Sequence, residues 1–203
     1  MKKKDIDTEE KILQVARKVF TQKGLAGARM QDIADEAGFN KALVHYYFGS
    51  KQKLFQLIFE QEFGKFFSNL VVIISSDIPL FAKIERIISL DIERLSAFPQ
   101  LPMFVLNEIS RNPGMMLKRF RSIPISAVLA GFRKQVNEEI KSGGIRKISA
   151  EQLLINIQSL SIFPFIAKPM LQTVFQYNEK EYYAMIAKRK KEVFNFIIAA
   201  IKA

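Results

Sequence analysis

The stretch 24–55, GLAGARMQDIADEAGFNKALVHYYFGSKQKLF, constrains the fold of this chain more than any other part of it. From Met30 to Ala37 the spacing predicts a short helix, with Met30, Ile33, Ala34 and Ala37 on one side and Gln31, Asp32, Asp35 and Glu36 on the other. Gly38 suits the left-handed residue that closes a helix, and Asn40 suits the cap that opens the next. That next helix, Lys41 to Phe48, gathers Val44, Tyr47 and Phe48 on one narrow arc. Upstream, Thr8 followed by Glu9 and Glu10 marks a helix start, and Ile12, Leu13, Val15, Ala16, Val19 and Phe20 share one face before Gly24 ends it. Two short helices joined by a glycine-containing turn, braced by a third, are a helix-turn-helix.

The far arc of the Lys41–Phe48 helix carries the functional signal. It presents Ala42, His45 and Tyr46, flanked by Lys41 and Leu43, where a merely solvated helix would carry Glu, Lys and Gln. A small residue allows close approach to DNA, while His and Tyr offer hydrogen bonds and ring faces to base edges. Ser50 is placed to cap a following helix. Its free N–H groups, with Lys51 and Lys53, make an anion site. His45 alone reads equally well as an ordinary exposed histidine, and Lys2, Lys3 and Lys4 as a solvated tail. Turn length, cap, aromatic arc and lysines together are far more specific.

Charge adds modest support. The chain of 203 residues has a formal net charge of +11, which suits a polyanionic partner. Residues 1–53 hold 11 basic against 7 acidic residues, so most of the excess lies beyond them. With no cysteine there is no disulfide or thiolate metal site, which fits a cytoplasmic protein with no cofactor and no metal. No apolar segment follows the N-terminal lysines, so a secretory signal is not expected. The run from Leu153 to Ala167 contains Asn156, Gln158, Ser159, Ser161 and Pro164, and is too short and polar to span a bilayer. Catalysis is not expected: the single histidine sits on the arc described above, and no GxGxxG, GxSxG or HExxH occurs.

Beyond Phe55 the pattern stays helical, and no segment of strand period is long enough to argue for a sheet. Breakers divide it into helices at about 51–75, 80–97, 102–111, 115–141, 149–176 (bent at its prolines) and 179–202, with Pro124 placed to split the fourth. On the last helix Tyr182, Tyr183, Met185, Ile186, Val193, Phe194, Phe196, Ile197 and Ile201 cover about half the circumference, broader than one core contact requires. A two-fold pairing through Leu160, Phe163, Met185, Val193, Phe196 and Ile197 would account for it; burial within one chain is the alternative. Phe63, Phe67, Phe98, Met103, Phe104, Phe132 and Phe163 are candidates for an apolar cavity, or for ordinary core.

The signature DIADEAGFNKALVHYYFGSKQKLF resembles the DNA-binding domain of TetR-family bacterial transcriptional regulators, with Asp32, Ile33, Ala34, Ala37, Gly38, Lys41, Tyr47, Phe48, Ser50, Lys51, Leu54 and Phe55 falling on the family pattern. Departures are Ala28 and Arg29 where a capping hydroxyl is usual, Asn40 for a common Ser, Ala42 for a common Gly, and Lys53 for a capping-box glutamate. The resemblance implies an all-α chain: a three-helix helix-turn-helix domain over 1–53, then a helical effector-binding and dimerisation domain over 54–203. It implies a regulator, usually a repressor, that binds a palindromic double-stranded operator as a homodimer through its last two helices and is released by a small hydrophobic effector. On this reading Arg29, Lys41, Tyr47 and Lys51 hold phosphates, while Asn40, Ala42, Leu43, His45 and Tyr46 face base edges. The competing expectation is a peripheral membrane or lipid-binding helical protein using the basic run Lys188 to Lys191.

Overall fold

The computed structural model describes residues 3–111 and 125–203. Among the described residues the chain is helical throughout: α1 (Lys3–Gly27), α2 (Met30–Ala37), α3 (Lys41–Phe48), α4 (Lys51–Ser75), α5 (Leu80–Ala97), α6 (Leu101–Arg111), α7 (Ile125–Lys141), α8 (Ala150–Ile166), α9 (Lys168–Phe175) and α10 (Glu179–Ile201). The one β-type pairing there is an isolated bridge between Ile145 and Lys202. Residues 115–124, expected to begin the fourth large helix, and Pro124 with them, lie outside the described residues. No single helix among those described is long and apolar enough to cross a membrane.

The chain divides into two compact units, Met1–Lys65 and Phe66–Ala203, rather than at residue 53. The reason lies in the first turns of α4. Leu54, Phe55, Ile58 and Phe59 are buried, and the Phe55 ring meets Phe20 of α1 edge-on at 5.0 Å. Arg17 of α1 reaches the same helix twice, pairing with Glu62 at 3.0 Å and donating to Gln61 at 3.3 Å. This core also takes in Ile12, Ala16, Val19 and Phe20 from α1, Met30, Ile33, Ala34 and Ala37 from α2, Val44 and Phe48 from α3, and Phe63 further along α4.

One local expectation fails in α1. Thr8 does not cap it, because the helix already begins at Lys3: no Pro or Gly interrupts the first turns, so nothing stops propagation upstream. Gly24, expected to end α1, instead breaks it with φ 65° and ψ 178°, and one further turn follows.

The second unit is built on α5, α8 and α10. Leu80, Ile84, Ile87, Ile88, Ile92 and Leu95 of α5 are buried, as are Tyr182, Ile186, Val193, Ile197 and Ile201 of α10. Ser149 caps α8 through Gln152 N at 3.2 Å, and Asn178 with Glu181 forms a capping box on α10. The proline-rich stretch bends α8 into α9 by 72°. Tyr182 Oη donates to the Pro164 carbonyl at 3.1 Å beside that bend. Lys168 fixes the far side, pairing with Glu179 at 2.7 Å and lying over the Tyr182 and Tyr183 rings.

Burial inside this unit decides which apolar residues are core. Val193 and Ile197, expected at a subunit interface, are 2% and 3% exposed within the chain itself, because the inward stripe of α10 advances by three- and four-residue steps through them. Phe163 and Phe196 stay on the surface at 52% and 64% exposed, and Leu160 and Met185 are half-buried.

Candidate nucleic-acid interface

The helix-turn-helix is assembled by local capping. Arg29 precedes α2 without a side-chain cap, as expected from the missing hydroxyl. Gly38 closes α2 at φ 74°, and its N–H reaches the Ala34 and Asp35 carbonyls; a Cβ there would be strained. Asn40 then accepts from Leu43 N at 2.7 Å and opens α3, and Gly49 closes α3 through His45 O. Ser50 Oγ accepts from Lys53 N at 3.2 Å and opens α4.

These caps leave α3 lying with Val44 and Phe48 buried and its other side in solvent. Asn40, Lys41, Ala42, His45 and Tyr46 are exposed, Tyr46 by 82%; Leu43 and Tyr47 are half-buried. The Tyr46 and Tyr47 rings brace one another edge-to-face at 5.5 Å. His45 Nδ1 lies 2.8 Å from the Gly49 carbonyl. A carbonyl can only accept, so Nδ1 donates here, and in the neutral ring Nε2 is then the acceptor that can meet an amino group on a base edge.

The electrostatics of the face are set by pairing behind it. Lys18 pairs with Glu36 at 2.6 Å and Lys23 with Asp32 at 2.7 Å, and Lys23 holds the Asp32 carboxyl below its usual range. Two of the three acids of α2 are thus matched by α1 lysines and the third, Asp35, accepts from Gln31 at 2.7 Å, while Arg29 and Lys41 stand exposed toward solvent. Lys51, expected on a phosphate, donates to the Ala28 carbonyl at 2.9 Å, pinning the turn before α2 to the start of α4. An ammonium has three donors, so a phosphate can still share it. The sequence reading missed this tie, along with the two ion pairs. All three join groups far apart in the chain, and helix wheels do not report how helices cross.

The seven residues expected to line an apolar pocket sit in differing surroundings among the described residues. Phe132 is fully buried and Phe98 nearly so; Phe67 and Phe104 are half-buried, Met103 and Phe163 are 41% and 52% exposed, and Phe63 is core of the first unit. A cavity of about 590 Å³ lies elsewhere in the second unit, walled by the end of α4, the turn after it, α5 and α7, and none of these seven lines it. Periodicity could not separate a phenylalanine facing a neighbouring helix from one facing a void.

Residues 12–58 match the family pattern described as bacterial regulatory proteins, tetR family. Over 59 residues the chain is 41% identical to the HTH-type transcriptional repressor NicS of Pseudomonas putida, covering 29% of this chain and 28% of that one. A longer likeness, 24% over 185 residues, joins it to the probable HTH-type transcriptional regulator YttP of Bacillus subtilis, covering 89% and 88% of the two. In fold it is similar to the ketosteroid transcriptional regulator KstR2 of Mycobacterium tuberculosis, with a TM-score of 0.65, 13% identity, and 96% and 95% of the chains covered. The capped α2–turn–α3 unit falls inside the matched segment, so residues 12–58 form a helix-turn-helix of the kind that the tetR family pattern describes.

Proposed function

We propose that the chain is a sequence-specific DNA-binding transcriptional repressor, working as a homodimer on a palindromic operator and released by a small-molecule effector. The observation that carries this is the exposed Asn40–Tyr46 face of α3, held by caps at both ends and flanked by Arg29, Lys41 and Lys51. Asn40, Ala42, Leu43, His45 and Tyr46 read base edges, while Arg29, Lys41, Tyr47 and Lys51 hold phosphates.

Dimerisation is supported by α8 and α10. Phe196 stands beside a hollow of about 200 Å³ lined by Leu160, Arg189, Glu192 and Val193. A protruding ring next to a hollow is self-complementary under a two-fold axis, each ring entering the other subunit's recess. Two recognition helices then meet two half-sites about one helical turn apart. An effector releases the operator by preferring a conformation in which the two reading heads no longer match that spacing.

Selection of bound DNA from a random pool by the purified protein tests the reading, and a palindromic consensus is the expected result; enrichment of no motif at low ionic strength would refute it. Two variants separate the roles within the face. Lys51→Gln keeps a donor for the Ala28 carbonyl but removes the charge. It should weaken binding to all sequences and lower the salt slope by about one unit. Tyr46→Ala should cost about 1–3 kcal/mol on the selected sequence and little on random DNA. Equal loss on both by gel-shift titration would remove Tyr46 from the base-reading set.

A further inference from the structure

The 590 Å³ cavity of the second unit has a polar lining that packing alone does not explain. Lys83 of α5 is 4% exposed, and its Nζ donates to the Ile74 carbonyl at 2.7 Å. That single acceptor, at the carbonyl end of α4, leaves two of the ammonium's three donors unmatched among the described residues. Gln135 of α7 donates through Nε2 to the Ile78 carbonyl at 2.7 Å, while its Oε1 is buried with no partner. A buried cation with spare donors and an orphaned buried acceptor therefore both line this cavity.

The third observation is Gly131, on the same wall and in the interior of α7. Glycine there costs helix stability relative to alanine. No close approach demands it, because a Cβ built at Gly131 meets no atom within 4 Å. Its effect is to leave space open. The lining charges balance as a set, Lys83 and Lys134 against Asp77 and Glu138, and the contact of Glu138 with Lys134 is a loose 3.9 Å across exposed surface. Burial draws the Lys83 ammonium down from its ordinary value, and Asp77 opposes this.

These features narrow the occupant by elimination. An apolar molecule would leave Lys83 and the Gln135 oxygen unpaired in a drier site than the empty one, at a cost for each. A simple anion would satisfy Lys83 but meet Gln135 Oε1, Asp77 and Glu138 as like-signed or acceptor groups. A simple cation reverses the problem. From this we infer that the cavity binds a small zwitterion of the amino-acid kind. Its carboxylate is received by Lys83 and its ammonium by Gln135 Oε1 with Asp77 and Glu138. The cavity volume of about 590 Å³ leaves ample room for such a molecule with its side chain. This rests on the reading of the chain as an effector-controlled regulator, and replaces the hydrophobic effector expected from the sequence with a polar one.

The test uses the full-length chain, titrated with each common L-amino acid at millimolar concentration, with propionate, propylamine and decanoate as controls. Melting temperature and titration calorimetry are the readouts. At least one amino acid should raise Tm by about 2–4 °C while the three controls do not. Gly131→Leu fills the space and should abolish the shift, with its own unliganded Tm equal to or above that of the parent. Lys83→Met and Gln135→Leu should each reduce the affinity at least tenfold. No shift with any amino acid, a decanoate shift alone, or an amino-acid shift undiminished in Gly131→Leu would each overturn the assignment. Pool selection of DNA runs in parallel. Operator binding without any amino-acid response sinks the site and spares the regulator; an amino-acid response without operator binding does the reverse.

Discussion

Phe196→Glu should convert the protein to a monomer at micromolar concentration and weaken operator binding by about 100-fold or more. Phe196 is 64% exposed, so the variant loses almost no core packing within its own chain. In the proposed pair the same change acts twice, since a two-fold interface repeats every residue. Each event removes an aromatic ring from the hollow beside Leu160 and Val193 and puts a carboxylate where water is excluded. A monomer still carries one intact α3, so random-sequence binding should fall much less than operator binding. Sedimentation equilibrium reads the mass, and gel-shift titration reads the affinity. Val72→Glu, on an equally exposed apolar residue of α4, supplies the charge-matched control and should leave the mass unchanged. A dimeric Phe196→Glu protein would show that the pairing runs through another surface.

Asp91→Asn should stabilise the folded chain at pH 8 and not at pH 4.5. Asp91 is fully buried on α5, with Oδ2 accepting from Gln158 Nε2 at 2.9 Å and Oδ1 lacking a partner. Burial pushes its carboxyl up to about 8, against the weaker downward pull of Gln158 and the adjacent Ser161 hydroxyl. In the unfolded chain the same group titrates near 3.8. The folded state therefore holds the proton over a range in which the unfolded state has released it, and stability must fall as pH rises. The contribution is complete below about pH 4 and is lost progressively toward pH 8. With about 1.4 kcal/mol for each pH unit as the ceiling, relaxation around the site leaves an expected gain of about 2–4 kcal/mol for the asparagine at pH 8. Urea unfolding of both proteins at pH 4.5, 6 and 8 measures it. A stability difference that does not vary with pH would mean that Asp91 is ionised throughout, with a counter-charge that the fold supplies.

A buried acid facing a buried hydroxyl is also a specificity device within the fold. Gln158 reaches Asp91 across 67 residues, joining α5 to α8 at one register, and a slip of either helix would break that bond. The same amide would pair with an asparagine, so the substitution retains the register while removing the titration.

Much of the reading head was legible from the chain itself. The bounds of α2 and α3, the left-handed Gly38, the Asn40 and Ser50 caps, and the outward Ala42–His45–Tyr46 arc all appear where the spacing predicts them. Each depends on groups within about four residues of one another, and helix periodicity with capping chemistry is a complete description at that range. The Ser149 cap of α8 and the Asn178–Glu181 box of α10 are equally local, each closing within three residues.

What required the tertiary structure is every feature made by two distant segments. Lys51 is tied to Ala28 across 23 residues, and the α4 turns carrying Leu54 to Phe59 join the first unit rather than the second. Phe132 is core while Phe163 and Phe196 are surface, although all three sit at helical spacing among apolar neighbours. The cavity walled by α4, α5 and α7 is polar, with Lys83 and Gln135 drawn from different helices. Local spacing determines which side of a helix is apolar. Which neighbour covers that side, and where cover is missing, follows from how helices cross, and that depends on the summed shapes of residues a hundred positions apart.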